Sequence, residues 1–248
     1  MSGRLGTPRV HLRLTDSTNT RARELAVAGA PDGTLVTAAE QSAGRGRQGR
    51  TWSAPPNTAL LCSLVIRDPS PLLSLRAGVA VAETVDQVTR LSPPGPQSAV
   101  PGPRALIKWP NDVLVGGRKV AGILVEGRPQ EDWAVLGVGL NVAIRVSELP
   151  PELRDSAGTL GLGPAAIESV LAELLKLLGR WRTVPADEVL GALGARDALC
   201  GREVGWEGGR GVAAGVDGEG RLLVDTEHGR VALDAGEVHQ WSRSGGPP

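Results

Sequence analysis

The segment from Gln41 to Arg67 limits the fold more than any other part of this chain. It contains no Asp or Glu, and Arg45, Arg47, Arg50 and Arg67 give it a local charge of +4. Gln41 to Trp52 holds three glycines and three arginines, and Thr58 to Arg67 then reads as a strongly apolar strand. Thr34 to Glu40, just before, is rich in small and β-branched residues and also reads as a strand. A cationic loop slung between two strands is therefore the unit that the fold must accommodate. Glycines between the arginines let the backbone take φ > 0 and approach a ligand, and guanidinium forks grip carboxylate or phosphate oxygens in pairs. The loop wants an anion.

The flanking sequence predicts an α+β fold, a mixed and mostly antiparallel sheet with helices packed on it. Residues 10–14 alternate as a strand, and Asp16-Ser17-Thr18-Asn19 supplies N-cap chemistry for a helix over 18–28 that Gly29 and Pro31 end. Apolar residues at helical spacing predict a helix over Pro71 to Leu91. Residues 92–103, with five prolines and two glycines, predict a loop. Ala105 to Trp109, Asp112 to Val115, Lys119 to Glu126 and Trp133 to Ile144 read as strands, with Gly116-Gly117 as a two-residue hairpin. Helices follow over Ala165 to Trp181 and Ala186 to Leu193. After about residue 198 come short strands (203–206, 211–216, 221–225, 231–233 and 238–241) between glycine-rich turns, which predict a small β-barrel. Two domains are expected, 1–197 and 198–248.

The 248 residues include no Phe, no Tyr and six Trp, so aliphatic side chains must fill the core. A balance of 27 basic and 27 acidic residues argues against a dedicated nucleic-acid binder. Cys62 and Cys200 lie far apart and outside any C-x-x-C pair, which supports neither a disulfide framework nor a thiolate metal site. Reduced thiols in a cytoplasm are the simplest reading. No signal-type apolar region and no run of about 18 apolar residues occurs, so secretion and membrane spanning are not expected.

Of the three lysines in a chain with 24 arginines, Lys108 and Lys119 fall on adjacent predicted strands, in Lys108-Trp-Pro-Asn111-Asp112 and Lys119-Val-Ala-Gly122-Ile123-Leu124-Val-Glu126. A flexible ammonium suits charge that migrates in phosphoryl or acyl transfer, although solvated strand-edge lysines are the plainer alternative. Gly137 and Gly139, before Asn141, fit either close approach of a ligand or a packing contact. Trp52 has two readings, stacking on a base or filling a core short of aromatics. His11, His228 and His239 lie outside all these stretches, so a histidine base has little support. No G-x-x-x-x-G-K-[ST] loop and no Rossmann-type G-x-G-x-x-G is present. A cationic set with amides, glycines and Asp112 suits a polyphosphate and an acidic small molecule, with catalysis by positioning and electrostatics.

Asp16-Ser-Thr-Asn19, Gln41…Gly44-Arg-Gly-Arg47-x-Gly-Arg50-x-Trp52, Lys108-Trp-Pro-Asn-Asp112, Lys119-x-Ala-Gly122-Ile-Leu-Val-Glu126 and Gly137-x-Gly-x-Asn141 occur in that order. This ordered set resembles the signature of biotin protein ligases, over about residues 10–145 through motifs and onward through the small C-terminal β-unit. The resemblance implies a class II aminoacyl-tRNA-synthetase-like (biotin–lipoate ligase) fold plus a Src-homology-3-like barrel. It also implies biotin and Mg2+-ATP as substrates. Biotin's carboxylate would attack the α-phosphate to give biotinyl-5′-AMP, and a lysine of a biotin carboxyl carrier domain would then take the biotinyl group.

By the same resemblance, Ser17, Thr18, Asn19, Gln41, Gly44, Arg45, Gly46, Arg47, Lys119, Gly122, Ile123 and Leu124 match biotin-binding positions. Arg45, Arg47, Arg50, Trp52, Lys108, Asn111, Lys119 and Asn141 match positions near ATP. Lys119, Arg47 and Lys108 would carry catalysis, and no protein ligand set for a metal is assigned. Some relatives carry an N-terminal DNA-binding domain, but only fifteen residues precede Asp16 here, so DNA binding is not expected. A cytoplasmic monomer or homodimer is implied. A lipoate ligase is the alternative within enzymes, and an anion- or RNA-binding module is the alternative outside them.

Overall fold

The computed structural model describes residues 4–91, 105–127, 130–234, 236 and 238–240. The loop expected over 92–103 lies outside the described residues, as does Trp241 at the end of the last expected strand.

Chain order gives strand β1 (Arg9–Leu12), helix α1 (Thr18–Val27), β2 (Leu35–Ala38), β3 (Ala59–Arg67) and α2 (Leu73–Leu91). The segment β4 (Leu106–Lys108), β5 (Asp112–Val115), β6 (Arg118–Gly127) and β7 (Trp133–Asn141) follows, then α3 (Ile167–Trp181) and α4 (Ala186–Gly194). These strands make one seven-stranded sheet in the order β1-β2-β3-β7-β6-β5-β4. Only β1 and β2 pair in parallel; the other neighbours run antiparallel. Gly116 and Gly117 turn β5 into β6 with φ of 58° and 78°, the positive values that a two-residue hairpin requires.

The near-continuous apolar run of β3 makes it a central strand covered on both faces, and the period of two decides which side chain goes where. Leu60, Cys62, Leu64 and Ile66 enter the main core with α2, α3 and α4. Val65 faces the other way, with Val36, Val135, Trp133 and the Ala22 and Ala26 side of α1. Ala59 and Leu61 share that second face but pack under Ile144 and Leu149. Between the α1 cluster and the 144–157 segment this face lacks an apolar cover, and there the cleft opens.

The C-terminal strands β8 (Glu203–Trp206), β9 (Gly209–Val216), β10 (Leu222–Thr226), β11 (Gly229–Leu233) and β12 (His239–Gln240) form an antiparallel sheet ordered β11-β10-β9-β8-β12. Among the described residues its edges β11 and β12 are not paired with each other, so the expected small barrel is observed as an open five-stranded sheet. It is fastened to the first sheet through β4. Ile107 donates its N–H to the Arg196 carbonyl (2.7 Å) and accepts from the Ala198 N–H (2.9 Å). Trp109 Nε1 donates to the Gly220 carbonyl (2.9 Å), and Val204, Ala213, Leu222, Val224 and Val238 join the main core.

The expected strands and helices form, with boundaries shifted by a few residues. Two local expectations change. The strand expected over 133–144 stops at Asn141, because Val142 turns aside to hold Leu162, and short 3-10 turns at Val146–Glu148 and Pro151–Leu153 wall the cleft. Ser17 occupies the N-cap position of α1 but makes no side-chain capping bond. The first-turn N–H of Thr18 is taken instead by Gln41 Oε1 (2.7 Å), from the arginine loop.

The fastening at β4 rests on a buried ion pair. Arg196 Nη1 donates to Asp86 Oδ2 (2.8 Å) and to the Ala105 carbonyl (2.9 Å), while Asp86 Oδ1 accepts the Ala105 N–H (2.9 Å). Removing one member leaves a desolvated charge and an orphaned amide, so Asp86→Ala should cost about 3–5 kcal/mol, read as a shift in the urea unfolding midpoint.

Candidate active site

Glycines form the floor of the cleft. In the antiparallel register Gly139 stands opposite Leu61 on one side and Gly122 on the other, and Gly122 stands opposite Asp112. One row further along, Gly137 stands between Ser63 and Leu124. A Cβ at Gly139 or Gly122 would run into the Trp52 indole, and one at Gly137 would run into the Asn19 side chain. The two readings left open for these glycines are thus decided in part: they admit the chain's own side chains to the sheet backbone. The cleft has a volume of about 630 Å3, within the range of small-molecule sites.

The Gln41–Trp52 loop forms the lid wall as a small hairpin. Trp52 N–H donates to the Gly44 carbonyl (2.9 Å), Gly46 N–H to the Arg50 carbonyl (2.7 Å), and Gln48 and Gly49 turn the tip with φ of 55° and 74°. A Cβ at Gly44 would strike the Trp52 carbonyl and the Gln41 amide, so this glycine is required by the closed hairpin. Side chains then tie the hairpin down. Arg45 Nη2 pairs with Glu126 Oε1 (2.8 Å), whose other oxygen accepts from Asn19 Nδ2 (2.8 Å). Arg47 Nη1 donates to Asn111 Oδ1 (3.2 Å), and Asn111 is fixed in turn by Nδ2 to the Ile123 carbonyl (3.0 Å).

One end of the cleft is neutral and hydrogen-bonding. Ser17, Thr18 and Asn19 are buried there at the start of α1. Gln41 Oε1 accepts from Thr18 Oγ1 (3.0 Å) as well as from its N–H, and Ser63 Oγ lies 2.6 Å from Asn19 Oδ1. Asp16 holds this turn from outside. The guanidinium of Arg21 binds its carboxylate and, with the Ser17 N–H and the Thr15 hydroxyl, holds its pKa at about 2. Cys62 belongs to the floor strand but its thiol faces the main core on the other side, where burial pushes it up to about 12, so it stays protonated and is no nucleophile.

The other end is cationic. Lys119 Nζ meets Asp112 Oδ1 at 2.7 Å, off the direction of a good hydrogen bond, and stands 5.6 Å from the centre of the Trp52 ring. Asp112 is the only carboxylate among the described lining residues, against Arg45, Arg47, Arg50, Lys108, Lys119 and Arg202. Burial, helped by Lys119 and Arg50 and opposed by Asp112, holds the Lys108 ammonium below the ordinary lysine pKa. Charges left so exposed to one another call for an anionic guest.

All the sequence-derived site residues except Gly44 line this cavity, and Gly44 shapes its lid. Asn141 is more inward than its motif implied: Nδ2 donates to the Gly158 carbonyl (2.8 Å), anchoring the cleft wall. Sequence reasoning missed the wall residues Leu149, Leu153 and Ala157, which carry no motif, and Ser63, a polar break in an apolar strand that is fully buried and holds Thr18 and Asn19 from behind. It also set aside His239, which lines the cavity together with Arg202. Burial, then the positive charges of Lys108 and Arg50, lowers the pKa of its ring. Among the described residues no group of three or more His, Cys, Asp or Glu could hold a metal ion.

Comparison with known proteins gives consistent matches. The Biotin/lipoate A/B protein ligase family matches residues 11–142, and the Biotin protein ligase C terminal domain matches residues 200–239. The chain is similar to a Biotin--[acetyl-CoA-carboxylase] ligase of Mycobacterium tuberculosis, 37% identical over 243 residues that cover 90% of this chain and 85% of that protein. It is 37% identical over 164 residues to a Bifunctional ligase/repressor BirA of Bacillus spizizenii, covering 63% of this chain and about half (47%) of that protein. Among solved structures, a biotin protein ligase from Aquifex aeolicus in complex with biotin and ATP superposes with a TM-score of 0.76 at 27% identity, covering 94% of this chain and 98% of that one.

The glycine floor makes a direct prediction. Gly139→Ala should push the Trp52 indole off the sheet at a cost of about 1–3 kcal/mol. The change should register as altered tryptophan fluorescence and faster hydrogen exchange in 44–52; a hairpin unchanged by the added methyl would show that the close approach is not what holds it.

Proposed function

The chain belongs to the biotin/lipoate A/B protein ligase family, and from that membership and the two-ended cleft we infer an ATP-dependent biotin–[acetyl-CoA-carboxylase] ligase. The observation that carries the chemistry is Lys119. It stands where the neutral, hydrogen-bonding end of the cavity meets its cationic end, close to Asp112 and against Trp52. A neutral end of amides and hydroxyls suits a ureido ring and its aliphatic tail, and a cationic end suits a triphosphate. The complex of the Aquifex ligase with biotin and ATP supports this pairing of guests.

In this reading Ser17, Thr18, Asn19, Gln41, Gly44 to Arg47, and Gly122 to Leu124 hold biotin, with Ser63 positioning Thr18 and Asn19 from behind. Arg50, Trp52, Lys108, Asn111 and Asn141 serve ATP. Lys119 bridges the biotin carboxylate and the α-phosphate, offsetting the repulsion of two anions brought to bonding distance. Its pairing with Asp112 orients the ammonium before substrates arrive. The carboxylate oxygen then attacks phosphorus, pyrophosphate leaves, and Arg47 with the hairpin keeps water from the biotinyl-5′-AMP. The ε-amine of a carrier-domain lysine attacks the mixed anhydride in the second step and releases AMP.

Mg2+ enters with the triphosphate. The cleft offers the single carboxylate of Asp112, too few ligands for an all-protein site, and Mg2+ is commonly held by one or two carboxylates plus substrate phosphates. A biotin carboxyl carrier domain of a carboxylase is the partner that this chemistry requires. We divide the chain into a catalytic domain over 1–197 and a C-terminal domain over 198–248. No described helix is long and apolar enough to cross a membrane, and a cytoplasmic setting, as a monomer or homodimer, suits the ATP supply and the two free cysteines.

The test is biotin-dependent exchange of label between ATP and pyrophosphate, with lipoate as the competing acid. Biotin should support exchange and lipoate should not. Lys119→Ala should lower the exchange rate by about 100-fold or more while leaving the melting temperature near that of the parent, because the side chain is about a third exposed.

Titration of Lys108 supplies a second test. Its pKa is lowered in the free chain, and a bound polyphosphate raises it, so at alkaline pH between the two values ATP binding takes up a proton. ATP affinity should therefore fall as pH rises through the free-state pKa of Lys108. Calorimetry in two buffers of different ionisation heat should detect uptake with the parent and none with Lys108→Gln.

A further inference from the structure

Strand alternation alone would bury Lys119 in the core. Ala121 and Ile123 of β6 enter the main core while Gly122 faces the Trp52 indole in the cleft, so a strict period of two would send residue 119 to the core side. The register breaks at this point. Val113 stands opposite Ala121, but Leu114 stands opposite Lys119, which leaves Val120 as one extra residue in β6. This β-bulge turns Val120 into the core and Lys119 out to the cleft, beside Asp112 and Trp52. The pairing of β6 with β7 ends at Ala121 and Leu140, so β7 offers the Lys119 backbone no partner. The strip Ser156–Gly158 takes that place. Lys119 donates its N–H to the Ser156 carbonyl (2.7 Å) and accepts from the Gly158 N–H (2.8 Å), in a parallel bridge with Ala157. The Gly158 carbonyl accepts in turn from Asn141 Nδ2 (2.8 Å), which ties the strip to the end of β7.

We propose that Gly158 is a positioning residue for adenylation: through it the strip fixes the bulge, and so the point between the biotin carboxylate and the α-phosphate at which the Lys119 ammonium stands. This deepens the ligase reading and rests on it. A Cβ built on Gly158 lies 3.0 Å from Val120 Cγ1 and 3.1 Å from Arg118 Cβ, and these two residues flank Lys119 in sequence. Glycine is what lets the strip close on the bulge, and a side chain there must push one or both neighbours of the lysine aside by a few tenths of an ångström. The ammonium sits at the end of a flexible stem, so its place is set from two ends, by Asp112 at Nζ and by the strip at the backbone. A misplacement of about 1 Å in a group that must meet two substrates can cost about 100-fold in rate. Ser17, Thr18, Asn19 and Gln41 take no part in these contacts, so the loss falls on the work of Lys119. Asn141 reaches the same lysine at one remove, through the Gly158 carbonyl.

The experiment is a double-mutant cycle in the full chain, with Gly158→Ala, Gly158→Val, Lys119→Ala and the two combinations, read by biotin-dependent ATP–pyrophosphate exchange. Gly158→Ala should lower the maximal rate of exchange about 10-fold and Gly158→Val about 100-fold. In the Lys119→Ala background neither change should lower the residual rate further, because the group through which they act is gone. Reductive methylation with 13C-formaldehyde gives a readout without turnover, since the chain has three lysines. The Lys119 signal is identified by its loss in Lys119→Ala and senses the Trp52 ring 5.6 Å away. It should move in both Gly158 variants while the signal of exposed Lys176 holds. Losses that persist in full without Lys119, or a Lys119 signal unmoved in folded Gly158→Ala, would overturn the proposal and leave Gly158 as part of the cleft wall alone. If Gly158→Val does not fold, Gly158→Ala decides. A parent chain without biotin-dependent exchange would instead sink the ligase reading, and the methyl signals would still report whether Gly158 sets the bulge.

Discussion

Everything at this site depends on how closely side chains can approach the sheet at Gly122, Gly137 and Gly139. Without Cβ atoms there, the Trp52 indole lies against the β6 and β7 backbone and the Asn19 amide reaches the strand beside Ser63. The approach of Trp52 sets where the Gln41–Trp52 hairpin ends, and the approach of Asn19 sets where α1 begins. Gln41 joins the two by serving the first-turn N–H of the helix. A methyl group at any of the three positions forces a neighbour to move, so the cavity is shaped by what the glycines lack.

Electrostatics shapes the same space in a second way. Glu126 holds Arg45 and Asn19 together, Asp112 meets Lys119, and Asn111 receives Arg47. These contacts orient the cationic groups without substrate and lower the conformational cost of ordering them later. The pairs are partly exposed, so each adds little to stability. Their value lies in preorganisation, which costs least when the charges already point at the place where an acyl-phosphate forms.

Much of this was legible in the sequence, for identifiable reasons. Period-two alternation and uninterrupted apolar runs located β3, β6 and β7, and Gly116-Gly117 marked its hairpin. Motif residues clustered as expected because their chemistry is local: three arginines among three glycines, and two scarce lysines on adjacent strands. What stayed hidden was set by long-range geometry. Ser63 looks like one polar residue in an apolar strand until α1 is laid over it. Leu149, Leu153 and Ala157 form a wall only because β7 ends early at Asn141. Ser17 carries cap chemistry, yet the bond is made by a residue 23 positions from Thr18, which no local rule contains.

His239 is the sharpest case, because the sequence argued against it on distance from every motif. The distance is closed by a chain of fastenings. β4 runs beside Arg196 to Ala198 through backbone bonds, the buried Arg196–Asp86 pair secures that strip to α2, and Trp109 clasps Gly220 across the two sheets. The backbone bonds of Ile107 and the Trp109 clasp flank Lys108, and the ion pair holds Ala105 immediately before the same strand, so the position of the C-terminal sheet and that of the Lys108 ammonium are set by the same contacts. A shift of one therefore carries the other, and a small antiparallel sheet that would be marginal alone is given a fixed place at the cationic end of the cleft. The fold thus makes the C-terminal strands one side of the cavity, in the way that a lone appendage on a linker could not.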